Sequence, residues 1–478
     1  MPRARRHALV FLVLSLYCLL VLPRMLSSGM FMDGVVYASI ARNMAEHYGS
    51  FWQPYYTATV YPIFYEHPPL GFWLQSWAYR LCGDSVYVEA WWGCSVGILL
   101  LVVLARIWRC LTPQGYALTG PWFPIILFIV MPMTSWAVAN NMLEPTMTLF
   151  ILLAGWLCLL SLDTPTIFFA CFYGLLSGLS MFCAMLIKGP VALFPLAIPW
   201  LAMRRDTQKR SIVTTVMVLL MTLIVAFGLM FSASTAAVQF FKHYVSQQVL
   251  ASITGAPKTW TARFDVLIDV GRESLVSLLV GGTLVAISYR LRQTAIASLH
   301  VRLFLSYLGI AVAGSLPIII SVKQMRWYAF PSLPFYAMAM AVGFNDAARA
   351  LERWVEGHKH REKTIIIFSS ILLCIALSLM LVEKNALTRE KDFHADFSQV
   401  PRAIEGRKVL SVYPMHLAKN WTLVANMQRE FRASLTENFG QEYLLTTTDY
   451  IDAESIASHY KRIPPFNTKK YVFFQRND

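Results

Sequence analysis

Along most of this chain the apolar positions run on uninterrupted for nearly the length of a bilayer-crossing helix. Such stretches lie at 8–26, 86–105, 120–139, 145–162, 166–186, 189–203, 211–232, 274–290, 301–321, 327–345 and 364–382. A run near twenty apolar residues crosses a hydrocarbon core of roughly 30 Å as a helix that satisfies its own backbone. The pattern predicts an all-α polytopic membrane protein of about eleven transmembrane helices. Buried core helices, the alternative, need far more polar surface than the chain offers.

Three places break the pattern. Between the first and second spans, residues 27–84 form a loop far longer than most helix connections. Within it, Val36, Tyr37, Ile40, Ala41 and Met44 fall at helical spacing while Asp33, Arg42, Asn43 and Glu46 supply polarity, which predicts an amphipathic helix on the outer membrane surface. Leu70 to Leu81 predicts a second short amphipathic segment, rich in the tryptophan and tyrosine that favour the headgroup zone. A second large outer loop, 232–273, carries Phe240, Phe241, His243, Tyr244, Gln247 and Gln248 before a Gly255-Ala256-Pro257 break, and is placed to cover a site. After the last span, 383–478 turns polar, with strand patterns at Lys408–Tyr413 and Tyr471–Phe474. The expected organisation is a transmembrane domain over 1–382 and a small soluble α/β module over 383–478, outside the membrane on its periplasmic side.

Composition supports this division. Of 478 residues, 56% are hydrophobic and only 14% charged, which excludes a set of soluble domains. The formal charge of +14 invites a nucleic-acid reading. However, the basic clusters at 3–6, 106–109, 204–210, 290–302 and 349–363 fall on one side if the spans alternate, and the positive-inside rule makes that side the cytoplasm. Topology accounts for the charge, and no nucleic-acid partner is expected. The N-terminus also resembles a signal peptide, and a retained first helix is favoured because the segment after it looks functional. Most of the eight cysteines lie in apolar runs as small hydrophobes. There is no CxxC, no Walker A loop and no dinucleotide fingerprint.

Ionisable residues at helix ends of a membrane protein are costly unless used. On the expected outer side these are Asp33, Glu66, His67, Glu144, Lys188, His243, Lys323 and Arg326. The carboxylates suit a general base, and the cations suit a phosphate leaving group. Bland readings stand beside these. Asp33 caps a helix equally well, Glu144 beside Pro145 suits a first-turn acid, and Lys188 and Arg326 suit interface anchors. Glu66-His67-Pro68-Pro69 is more specific, because the prolines hold both polar side chains in an extended turn. Glu66 with His243 would give a divalent metal such as zinc two ligands, where tetrahedral sites use three or four.

At these residues the chain resembles the polyprenol-phosphate-sugar-dependent glycosyltransferases of the GT-C fold, which include protein O-mannosyltransferases and the aminoarabinose transferase of lipid A. The likeness covers roughly 1–345. It rests on Asp33 followed by Tyr37, Ala41 and Arg42, on Tyr65 to Leu70, on Asn140 to Pro145, on Lys188-Gly189-Pro190, and on Arg326-Trp327-Tyr328 before Pro331. The resemblance implies Asp33 and Glu144 as catalytic acids, with Lys188, Lys323, Arg326 and His67 toward the donor phosphate and Glu66 toward a possible metal. His67 stands where the family often has lysine, and Gly34 where it often has a second acid.

The implied activity is inverting transfer of a sugar from a polyprenyl phosphate to a lipid, glycan or protein acceptor, on the periplasmic face of a bacterial inner membrane. A transporter or flippase of lipid-linked sugar is the alternative. Inverted repeats and interrupted helices would mark one, and the sequence has neither.

Overall fold

The computed structural model describes residues 6–85, 87–112, 116–202, 209–255, 264–290, 300–384, 386–398 and 404–477. The expected basic clusters at 3–6, 204–210 and 290–302, and the break after Gly255, lie largely outside them. Among the described residues, eight helices are long and apolar enough to cross a membrane: His7–Met25, Tyr87–Cys110, Leu143–Asp163, Ile167–Lys188, Ser211–Ala233, Asp265–Arg290, Val301–Ile320 and Lys359–Val382. The chain is a multi-pass membrane protein. The run at 120–139 is a pair of short helices, Trp122–Ile129 and Pro132–Ala139, bent by 73°, an interrupted helix where the sequence reading expected none.

Two further predicted spans differ, and proline is the reason. Pro190–Ala197 is a 3-10 helix leading into the four-residue helix Ile198–Leu201. Arg326–Ser332 is a 3-10 helix leading into Leu333–Gly343. Pro190, Pro195, Pro199 and Pro331 each lack the N–H that a continuous helix needs. Against the expected eleven crossings, eight helices among the described residues are long and apolar enough, or nine with the bent pair.

The chain divides into two compact units. The first comprises Met1–Met25, Glu66–Gly71 and Gly93–Val382. Here Leu143–Asp163 and Ile167–Lys188 form an antiparallel hairpin, and the helix from Lys209 packs beside them. Small polar side chains bind these three helices together. Ser177 donates to the Ala154 carbonyl at 2.8 Å, and Ser161 shares a 2.7 Å hydrogen bond with Thr215. This is how helices associate where lipid removes the hydrophobic drive between them.

The second unit comprises Leu26–Tyr65, Phe72–Trp92 and Glu383–Asp478. Five strands form its sheet: β1 Val409–Tyr413, β2 Ser434–Thr436, β3 Tyr443–Thr447, β4 Tyr460–Ile463 and β5 Tyr471–Arg476, in the order β2-β1-β3-β5-β4. β1 runs parallel to β2 and β3, while β5 is antiparallel to β3 and β4. The helix Trp421–Phe431 joins β1 to β2, as a parallel pair requires a crossover.

The helix expected from Asp33 forms over Met32–Ala45, yet every residue from Gly34 to Met44 is buried. It is therefore a core helix of this unit and not a surface amphipath. Arg42, 1% exposed, donates to the carbonyls of Arg429 (2.7 Å) and Gln428 (2.9 Å), satisfying the C-terminal end of helix Trp421–Phe431. Burial, and then the nearby Arg429 charge, bring the Arg42 guanidinium down to about 10. Around it Arg429 pairs with Glu89 and Asp84, and Glu46 holds both Arg407 and Arg432. The loop also meets the sheet edge, where the Thr59 hydroxyl donates to the Leu435 carbonyl at 2.6 Å.

Candidate active site

In a helical hairpin, the start of the first helix and the end of the second lie at the same level. Glu144 stands in the first turn of Leu143–Asp163, and Lys188 is the last residue of Ile167–Lys188. Both positions suit the helix dipole, acid at the N-terminus and cation at the C-terminus. The hairpin brings them together, with Lys188 Nζ donating to Glu144 Oε1 at 2.5 Å; Glu144 is fully buried.

Gly189 ends the second helix at φ +84°, a conformation glycine adopts without strain. It also makes room, because a Cβ there would collide with the hydroxyl of Tyr244. Tyr244 ends the helix Thr235–Tyr244 and donates to the Lys188 carbonyl at 3.3 Å. A π-helical turn, Val245–Leu250, follows and turns Gln248 inward; π-turns recur at functional sites.

These residues line a cavity of about 460 Å³ within the first unit. Its lining includes the polar residues Glu66, His67, Glu144, Lys188, Gln248 and Lys323. It also includes apolar ones, among them Leu193, Phe194, Ile253, Pro317, Ile318 and Ile320. Burial, then the positive charges of Lys188 and Lys323, hold the His67 imidazole well below its ordinary value, so it is neutral at pH 7. Lys323 Nζ donates to Gln248 Oε1 at 3.3 Å, and Lys188 sits 5.3 Å from the Tyr328 ring centroid.

The structure thus gathers Glu66, His67, Glu144, Lys188 and Lys323 of the sequence-predicted set. Arg326 is not among the lining residues. Its guanidinium donates to Glu273 at 2.7 Å. His243 is exposed, with Nδ1 2.9 Å from the Gln239 carbonyl, and does not line the cavity beside Glu66. Among the described residues, no group of three or more His, Cys, Asp or Glu side chains is placed to hold a metal ion, so the donor set does not fit tetrahedral zinc. Asp33 lies in the second unit, in the first turn of Met32–Ala45. Tyr244, Gln248 and Tyr328 also line the cavity, and sequence reasoning had given them no role in it.

No family model matches the chain, and no curated protein sequence matches it. Solved structures do. ArnT from Cupriavidus metallidurans in the apo state aligns with a TM-score of 0.61 at 14% identity, covering 98% of this chain and 96% of that one. The same protein bound to undecaprenyl phosphate aligns at 0.59 with 16% identity and the same coverage. The archaeal oligosaccharyltransferase AglB from Archaeoglobus fulgidus, in complex with an inhibitory peptide and a dolichol-phosphate, aligns at 0.48 with 10% identity, over 100% of this chain and 74% of that one. The chain has the GT-C fold, the architecture of ArnT.

Proposed function

We propose that the chain is an integral-membrane glycosyltransferase that moves a sugar from a polyprenyl phosphate to a cell-envelope acceptor on the outer face of the inner membrane. The observation that carries this reading is one cavity lined both by charged and polar side chains, Lys188 and Lys323 among them, and by apolar ones. An amphiphile with a phosphate head and an isoprenoid tail matches both kinds of lining. That ArnT of the same fold is solved bound to undecaprenyl phosphate supports the match.

In this scheme Lys188 and Lys323 hold the phosphate and offset the charge that develops as its bond to the sugar breaks. Neutral His67 donates a hydrogen bond to the same oxygens without adding charge. An acceptor hydroxyl or amine attacks the anomeric carbon from the side opposite the phosphate. The carbon–oxygen bond to phosphate breaks, polyprenyl phosphate departs, and the configuration inverts. Asp33 is assigned the acceptor's proton on the family resemblance. Glu144 acts through Lys188, whose ammonium it holds at the cavity wall. Because the lipid phosphate is the leaving group, no nucleotide is required.

Proteoliposomes carrying a radiolabelled polyprenyl phosphate sugar and cell-envelope extract test this. Label should pass to an acceptor with the wild-type chain and not with Asp33→Asn at equal abundance. Full transfer by Asp33→Asn removes that residue from the mechanism, and movement of intact donor across the bilayer without transfer marks a flippase.

A further inference from the structure

A carboxylate inside a transmembrane helix is expensive, and where one persists its partners indicate its use. Glu273 lies within Asp265–Arg290 and is 3% exposed. Both of its oxygens are engaged. Oε2 accepts from the Met133 N–H at 2.7 Å, in the first turn of Pro132–Ala139, and Oε1 accepts from Arg326 at 2.7 Å. One side chain therefore joins the break between the two bent helices to the segment before Leu333.

That segment carries the cavity residues Ser321 and Lys323 before Arg326 and Tyr328 after it. It is fastened at further points. Gln324 Oε1 accepts from the Val266 N–H at 3.1 Å, so two side chains tie this segment to the helix Asp265–Arg290. Val322 N–H donates to the Ser252 carbonyl at 2.7 Å, and Trp327 stacks on Trp136 with ring centroids 5.4 Å apart. Arg326 is half exposed, yet its charge is met by a buried acid and is not presented to the cavity.

We propose that Glu273 is a positioning residue for the donor phosphate. By holding Arg326 against the helix break, it fixes the 321–328 segment so that Lys323 and Tyr328 face the cavity. Arg326 then serves as the brace and not as a phosphate ligand. This inference rests on the proposed donor. The competing view, in which Arg326 itself binds phosphate, makes Glu273 a competitor for that charge, and the two views predict opposite signs.

Undecaprenyl phosphate binding to the full-length protein in nanodiscs decides between them. Glu273→Gln, with an unchanged melting temperature, should weaken binding about tenfold, because a misplaced charged contact loses affinity by about that factor. Arg326→Gln keeps a donor for Glu273 but loses the charge, and should bind within about threefold of wild type, less than half the free-energy loss of a tenfold change. Wild-type or tighter binding by Glu273→Gln, or near-complete loss in Arg326→Gln, overturns the proposal. If Glu273→Gln does not fold, Arg326→Gln carries the decision. Absence of binding by the wild type would instead remove the donor assignment, and this inference with it.

Discussion

Glu144 and Lys188 begin and end two consecutive antiparallel helices, and their side chains meet at 2.5 Å with the carboxylate fully buried. A buried pair of this kind is a net cost to form and a larger cost to break. Each single substitution, Glu144→Leu or Lys188→Met, is expected to destabilise the protein by about 3–5 kcal/mol, because it strips one charge of its ionic counterpart. The double variant should be more stable than either single one. Thermal melting in detergent checks this; additive losses would show that the pair is not coupled.

At Gly189 the expected effect is also a coupling. Gly189→Ala places a Cβ at φ +84° against the Tyr244 hydroxyl, so it combines backbone strain with a collision. The strain alone costs about 1 kcal/mol. In a Tyr244→Phe background the collision is relieved, and the loss on Gly189→Ala should shrink by about 1 kcal/mol. Equal losses in the two backgrounds would place the hydroxyl elsewhere.

Arg42 supports the end of helix Trp421–Phe431 from a distant part of the sequence. Arg42→Leu should cost about 3 kcal/mol or more, since acids set around a buried guanidinium then lose it. Arg42→Lys should not restore stability, because one ammonium cannot donate to two carbonyls in the geometry of a guanidinium fork. Faster proteolysis within 383–478 of the full-length protein reports the loss.

The neutral state of His67 sets a pH dependence. Its folded-state value is depressed, so between that value and about 6.5, its ordinary one, the unfolded chain binds more protons. Stability therefore rises with pH across this window, is lost as pH falls through it, and is constant above. The wild-type melting temperature should fall on acidification below about pH 6.5, and His67→Gln should flatten that slope.

Much of this was legible in the sequence for a simple reason: spans announce themselves by composition, and a hairpin of two spans fixes which ends meet. Glu144 and Lys188 follow from that rule, as does the strand pattern at Lys408–Tyr413. Glu273 did not, because the polar residues Asp269 and Arg272 next to it give the start of its helix the pattern of a loop. Burial of Glu273 depends on Met133 and Arg326, partners far away in sequence, which no local period encodes. Arg42 was misread similarly. A polar residue on a helix face reads as solvent-facing until the carbonyls it caps, 386 and 387 residues on, are in place. Arg326 was expected at the donor phosphate by its charge, and its contact with Glu273, 53 residues earlier, is one that no local pattern announces.

The most direct test of the account is undecaprenyl phosphate binding to the purified full-length protein in nanodiscs, compared between wild type and Lys323→Ala. Lys323 meets the cavity through a neutral partner, Gln248, so its removal leaves no buried acid stranded. The account predicts saturable binding by the wild type and about tenfold weaker binding by Lys323→Ala, the worth of one charge-assisted contact to phosphate. Equal affinity in the two proteins, or no saturable binding in either, would contradict it.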